Sequence, residues 1–284
     1  GPYLFSTHKV RPPYCYRCHL NLAYPACDLA CLGEVEQVLR DHHGDIAALI
    51  VEPLVYAAAG MITAPPGYLR RLRELCTRYD VLLIADEVAT GFGRTGAMFA
   101  CEREGVTPDL MAVAKGLTGG YLPLAATLTT EKVYDAFLGE YTDFRTFFHG
   151  HSYTGNALAC AAALATLDVF VHDRVIEGLA AKAAHLRDAL APLERHPHVG
   201  EIRQSGLMVG IELVQDRATK TRFPVAARIG WTVGREARAL GLLTRPLGDV
   251  CVLVPPLVST NEDLSEMARI VEASVHRVLG PPAG

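Results

Sequence analysis

Val81–Gly96 reads VLLIADEVATGFGRTG, and 29 positions beyond Asp86 a second apolar run, LMAVAKG, carries Lys115. Val81, Leu82, Leu83, Ile84 and Ala85 are apolar without a break, the pattern of a strand covered on both faces. In an open α/β sheet, ligands gather at the C-terminal ends of the strands. A carboxylate ending one such strand and an amine ending the next are therefore candidates for chemistry.

Outward from this pair, helical and strand periods alternate. CLGEVEQVLRDHHGD spaces Leu32, Val35, Val38 and Leu39 as a helix that Gly44 can stop. IAALIVEP (46–53) predicts a buried strand. PPGYLRRLRELCTRYD predicts a helix entered through Pro65 and Pro66, with Leu69, Leu72, Leu75 and Cys76 on one face. LMAVAKG and LAATLTT add two short strands. The expected class is α/β, with a mostly parallel central sheet. ALACAAALATLDVF then predicts a helix crowded with small residues. From about 171 the texture changes: a polar helix (172–194), two alternating segments around Ser205-Gly206, a helix near 225–240, the run VCVLVPP, and a closing amphipathic helix from Asn261. Residues 1–170 are expected to form one domain and 171–284 a smaller α+β domain.

The chain has 284 residues, 50% of them hydrophobic, and a net charge of −4, which gives no sign of a nucleic-acid surface. No apolar run reaches the length of a membrane span, so no membrane partner is expected. The opening stretch, Tyr3–Leu20, reads as loop and lacks an initiator Met, so a preceding segment is expected to be missing. Eight cysteines are present, and four fall in the spacing C-x2-C-x8-C-x3-C: Cys15, Cys18, Cys27 and Cys31. With His19 beside them they could hold a zinc ion, although the gap between the pairs is short for one. The alternative is a loop of reduced thiols packed under apolar neighbours. Nothing calls for an oxidising compartment, and a cytoplasmic location is expected.

A Lys set among Ala112, Val113, Ala114 and Gly116 would be partly desolvated, which exposes a nucleophilic amine able to condense with a carbonyl cofactor. Pyridoxal phosphate (PLP) needs such an amine and a carboxylate facing its ring nitrogen. Taken singly, each residue is better read blandly, as a strand-end Asp in a turn and a Lys reaching for water.

The longer segment DEVATGFGRTGAMFACEREGVTPDLMAVAKGLTGGYLPLAATL resembles the class III (ω-) aminotransferases of PLP fold type I. That resemblance implies that Asp86 pairs with the pyridine nitrogen, that Val88 packs on the ring, and that Lys115 is both the Schiff-base lysine and the proton shuttle. FFHGHSYTGNALACAAALA resembles the branch that converts 8-amino-7-oxononanoate to 7,8-diaminononanoate in biotin synthesis. By this likeness His151 and Ser152 reach the PLP phosphate of a partner subunit in a homodimer, and Gly150 borders the substrate. Arg245, in LLTRPLGDV, matches the arginine that binds the substrate carboxylate through its fork. In VEPLVYAAAGM, Ala57 stands where ornithine and γ-aminobutyrate aminotransferases carry a Glu that covers this arginine. The amino donor implied is S-adenosylmethionine or lysine. Family members carry a further N-terminal part of the large domain, so residues 1–170 would be the remainder of that domain. The alternatives are another ω-aminotransferase or an inactive truncated chain. The glycines of GFGRTG (91–96) also fit G-x-G-x-x-G, but no long helix is expected after them, as a dinucleotide site requires.

Overall fold

The computed structural model describes residues 5–282. The chain forms two compact units, and the division is not sequential. One unit takes Gly1–Pro53, Ala64–Ala89 and Cys101–Leu164; the other takes Leu54–Thr63, Thr90–Ala100 and Ala165–Gly284.

In the first unit a four-stranded sheet is built from β1 (Ala48–Val51), β4 (Leu82–Asp86), β5 (Leu110–Val113) and β6 (Ala126–Thr129), in that spatial order. β1, β4 and β5 run parallel, with Ile84 opposite Leu110 and Asp86 opposite Ala112. β6 closes the edge antiparallel to β5. Helices α1 (Leu32–His42) and α2 (Tyr68–Arg78) each turn an apolar stripe inward: Leu32, Val35 and Leu39 from one, Leu69, Leu72, Leu75 and Cys76 from the other. The carboxylate of Glu104 accepts from the backbone N–H groups of Gly67 and Arg70 at 2.8 and 2.9 Å. It thereby satisfies donors that the first turn of α2 leaves unpaired, and it sets a negative charge at the helix N-terminus.

At the sheet end opposite the chemistry, Asp109 joins β4 to β5. Its carboxylate accepts from Leu83 N–H at 2.7 Å and from Arg73 of α2 at 2.5 Å, while its own N–H donates to Leu83 O at 2.9 Å. A short helix, α3 (Glu131–Asp135), follows β6, and α4 (Ala157–His172) comes after a long loop. Only Ala159 and Ala163 of α4 are buried, whereas Leu158, Leu164 and Val171 are exposed. The buried stripe of this helix is made of alanines, and among its large residues Phe170 is partly buried, its ring 6.4 Å from that of Phe92.

The second unit is organised on β7 (Val199–Ser205), β8 (Met208–Leu213) and β9 (Val250–Leu253), a three-stranded antiparallel sheet in that order. Against it lie α5 (Val175–Leu190), α6 (Ile229–Ala239) and α7 (Asn261–Leu279), which share a core of Leu179, Leu186, Ile211, Leu213, Leu264 and Val271 with the strands. α7 opens on a reciprocal cap, with Thr260 and Asp263 each accepting the other's backbone N–H. A hairpin of two-residue strands, β2 (Val55–Tyr56) and β3 (Ile62–Thr63), belongs to this unit, although it follows β1 directly in sequence.

Residues 90–100 join the same unit, and Gly93 of GFGRTG serves packing there, since a Cβ on it would meet Leu257, Leu179 and Ile176 at 2.9–3.2 Å. Gly206, in the β7–β8 turn, has φ +59° and lies against the backbone of Arg94, Thr95 and Gly96, with Leu207 N–H bound to Arg94 O at 3.0 Å. No long helix follows Gly96; the next element is a single 3-10 turn over Ala100–Glu104. Among the described residues no helix is long and apolar enough to cross a membrane.

Residues 5–20 contain no helix or strand, as expected of the opening stretch; Tyr3 and Leu4 lie outside the described residues. The Cys loop that follows is a succession of turns. All four of its cysteines are free thiols lining one hollow of about 20 Å³, room for a single water. Burial, and then the neighbouring Cys15, Cys27 and Cys18, push the Cys31 thiol up. Among the described residues, no three His, Cys, Asp or Glu side chains are grouped to hold a metal ion.

Candidate active site

Asp86 is the last residue of β4, half-buried. One of its carboxylate oxygens accepts from Val88 N–H at 3.1 Å, a local turn that fixes the side chain. Its other oxygen has no partner among the described residues. Glu87, next in the chain, is fully buried and accepts the backbone N–H of Cys101 at 2.9 Å. It ties the segment after β4 to Cys101, whose thiol is pushed up by its own burial and then by this carboxylate. The adjacency of two acids at a strand end is the sequence signal for that division of labour, although which one goes inward is decided by packing.

Lys115 lies just beyond β5, the strand neighbouring β4, three residues past the Ala112 that pairs with Asp86. Both residues therefore stand at the same, C-terminal, end of adjacent parallel strands. The backbone of Lys115 is left-handed, φ +48°, where a non-glycine residue is strained by about 1 kcal/mol or more. Contrary to the sequence expectation, its side chain is exposed and not tucked among the alanines. β5 ends at Val113, so Lys115 opens a 3-10 turn (Lys115–Thr118) and its amine leaves the strand's apolar surroundings. The amine has no partner among the described residues.

Gly150, His151 and Ser152 lie in an exposed loop before α4. The loop is braced on itself: His151 N–H donates to Thr154 Oγ1, and Tyr153 N–H to His151 Nδ1, each at 3.1 Å. Asn156 caps α4 by accepting Ala159 N–H at 3.1 Å. Phe144, Phe147, Phe148 and Tyr153 are exposed around it.

The second unit presents a separate feature. Arg245 lies in the irregular segment between α6 and β9, held by Thr244 Oγ1 donating to Val252 O at 2.5 Å. Gly230 and Gly234, one turn apart on α6, let Gly248 and Pro246 of that segment approach the helix backbone. Arg245 is exposed, its guanidinium unpaired among the described residues, and it lines a cleft of about 350 Å³. Met61, Leu243, Val252, Val254 and Met267 line the cleft, and among the described residues no acidic one does. Ala57 opens the turn that leads to Met61, its carbonyl accepting Gly60 N–H at 3.2 Å and Met61 N–H at 3.0 Å.

Comparison with known proteins places the chain in a family. The family model described as "Aminotransferase class-III" matches residues 5–275. An adenosylmethionine-8-amino-7-oxononanoate aminotransferase of Nitratidesulfovibrio vulgaris is 56% identical over 97% of this chain and 51% of its own length. The enzyme of that name from Geobacter sulfurreducens is 53% identical over 98% of this chain and 62% of its own. The crystal structure of the Methanocaldococcus jannaschii enzyme superposes with a TM-score of 0.87 at 41% identity, covering 90% of this chain and 59% of that one. A PLP-bound amine transaminase from an uncultivated Pseudomonas species gives 0.89 at 40% identity, covering 94% and 60%. The chain thus spans about half to three fifths of the length of these relatives.

Proposed function

The chain belongs to the class-III aminotransferases and has the PLP-dependent fold type I, and from that premise we propose that it serves the amination of 8-amino-7-oxononanoate to 7,8-diaminononanoate in biotin synthesis. The observation that carries this reading is the pair at one sheet end: Asp86 with a free carboxylate oxygen on β4 and Lys115 with a free amine after β5. Free in this way, the two fit PLP, whose ring nitrogen needs an anionic acceptor and whose aldehyde needs a primary amine. When bound, PLP supplies an electron sink for the carbon that gives up or gains the amine.

Asp86 would hold a proton on the ring nitrogen, its orientation set by Val88 N–H. Val88 would bear on the ring face. Lys115, freed once substrate is bound, would carry a proton to and from the substrate carbon beside it, as a positioned base. Arg245 would bind the substrate carboxylate, and with Ala57 in its turn no side-chain carboxylate from that position competes. The names of the relatives support S-adenosylmethionine over lysine as donor. Residues 1–170 are assigned on this reading to the large cofactor domain and 171–284 to the small domain. The exposed, self-braced 150–156 loop suits a homodimer in which His151 and Ser152 serve the partner's cofactor phosphate, with Gly150 bordering substrate. A cytoplasmic location belongs to the same reading.

The test is to incubate the chain with PLP, reduce with borohydride and map the modified lysine. Labelling at Lys115 that vanishes in Lys115→Ala is expected; labelling scattered over surface lysines would refute the cofactor site. Turnover of 8-amino-7-oxononanoate with each donor in turn then separates this function from that of another ω-aminotransferase.

A further inference from the structure

We propose that Met61, clamped by Arg203, sets the length of alkyl chain that the Arg245 cleft accepts, so that the cleft selects among aliphatic monocarboxylates. The inference rests on the assignment of Arg245 to a substrate carboxylate.

Met61 is a non-glycine residue with φ +55° and is only 8% exposed. Strained backbone of this kind persists where the surroundings over-determine it. Here the surroundings are Arg203, on β7. Its Nε donates to Gly60 O and Met61 O at 3.0 Å each, and its Nη2 donates to Gly60 O at 2.6 Å. The guanidinium is fixed in turn by Glu201 at 2.8 Å and Glu212 at 2.7 Å through Nη1, with the Arg203 side chain 3% exposed. One planar fork thus grips the two carbonyls flanking the strained bond and two carboxylates of its own sheet, a task that a flexible ammonium cannot perform.

A methionine ordinarily adapts to what it touches. With its backbone held, Met61 can adapt only through its side-chain torsions. The side chains lining the cleft are apolar apart from Thr244 and Arg245, and among the described residues Arg245 is the only charged one there. Its volume, about 350 Å³, is at the low end for ligand sites, so one side chain more or less changes what fits. A carboxylate held by Arg245 would lay its alkyl tail along Met61, Val254 and Met267.

The experiment is calorimetric titration of the intact chain with n-alkyl carboxylates from hexanoate to dodecanoate, with octanol as the uncharged control. The wild type should prefer one chain length, with a preference for carboxylate over alcohol that Arg245→Met abolishes. Met61→Ala should weaken the preferred carboxylate about fivefold and move the optimum to longer chains. Arg203→Lys, which keeps the charge among Glu201 and Glu212 but not the grip on the carbonyls, should move it in the same direction although Arg203 does not line the cleft. The double variant should do no more than the stronger single one. Should Arg203→Lys not fold, Met61→Phe decides, because it should shift the optimum to shorter chains. An unchanged chain-length profile, additive effects, or no Arg245-dependent binding in the wild type would each overturn the proposal. PLP labelling of Lys115 reads the cofactor site and is unaffected by any of these results.

Discussion

Replacing Asp109 tests how the strand that carries Asp86 is held. The Asp109 carboxylate binds Arg73 at 2.5 Å and Leu83 N–H at 2.7 Å, and Leu83 is fully buried. Asp109→Asn keeps an acceptor for Leu83 but loses the charge, which should lower stability by about 1–2 kcal/mol. Asp109→Ala also leaves a buried N–H unpaired, and the loss should reach about 3–5 kcal/mol. The pH dependence separates the two contributions. Burial alone would raise the Asp109 carboxyl, but Arg73 and Leu83 N–H outweigh it and hold the group below the ordinary carboxylate range. The unfolded chain, with an Asp near pH ~3.9, takes up its proton first on acidification. The charge-dependent part is therefore fully present above about pH 5 and is lost as pH falls through the depressed folded value. Urea unfolding followed by circular dichroism, from pH 7 down to 3, should show the gap between wild type and Asp109→Asn closing in acid. A gap that stays constant with pH, or equal losses for Asn and Ala at pH 7, would refute this account.

Two further outcomes follow from the second unit. Gly206→Ala would place a Cβ 2.5 Å from Arg94 O and 2.7 Å from Gly96 N, on a backbone with φ +59°; a loss of about 2–4 kcal/mol in denaturant unfolding is expected, and a change under 0.5 kcal/mol would deny the contact. His196 is buried, with Nδ1 accepting His198 N–H and Nε2 donating to Gly280 O, and its basicity is lowered by burial and then, against the carbonyl's pull, by His276 and His198. The unfolded histidine protonates first, so stability should be whole above about pH 6.5 and decline as pH falls below it; unfolding at pH 7.5 and 5.5 should show a smaller decline in His196→Gln, and an equal decline would exclude His196 as its source.

Elements with a long, clean period were legible. Leu32, Val35 and Leu39, the stripe of α2, and the alternation around Ser205-Gly206 each formed the element their spacing implied, because local pattern and burial agree there. The β2–β3 hairpin was not legible. Its strands are two residues each, too short for any period, and it is held by Arg203, more than 140 positions away in sequence. Nothing local announces that an arginine in EIRQS will be buried between two glutamates. At the site, strand ends located Asp86 and Lys115 correctly, because parallel register carries both to one edge. The surroundings of Lys115 were misjudged, since its alanine neighbours in sequence do not enclose the amine in space. The register ends two residues earlier, and the amine falls outside the apolar layer.

That left-handed lysine has a consequence for any attempt to improve the chain. Glycine would occupy position 115 with less backbone strain, by about 1 kcal/mol. The most comfortable version of this turn is therefore one without an amine. Selection for heat resistance alone, applied to random variants, would drift toward a sturdier protein with an empty hand at the end of β5. Any library built on this scaffold needs a readout for the amine itself alongside its melting temperature.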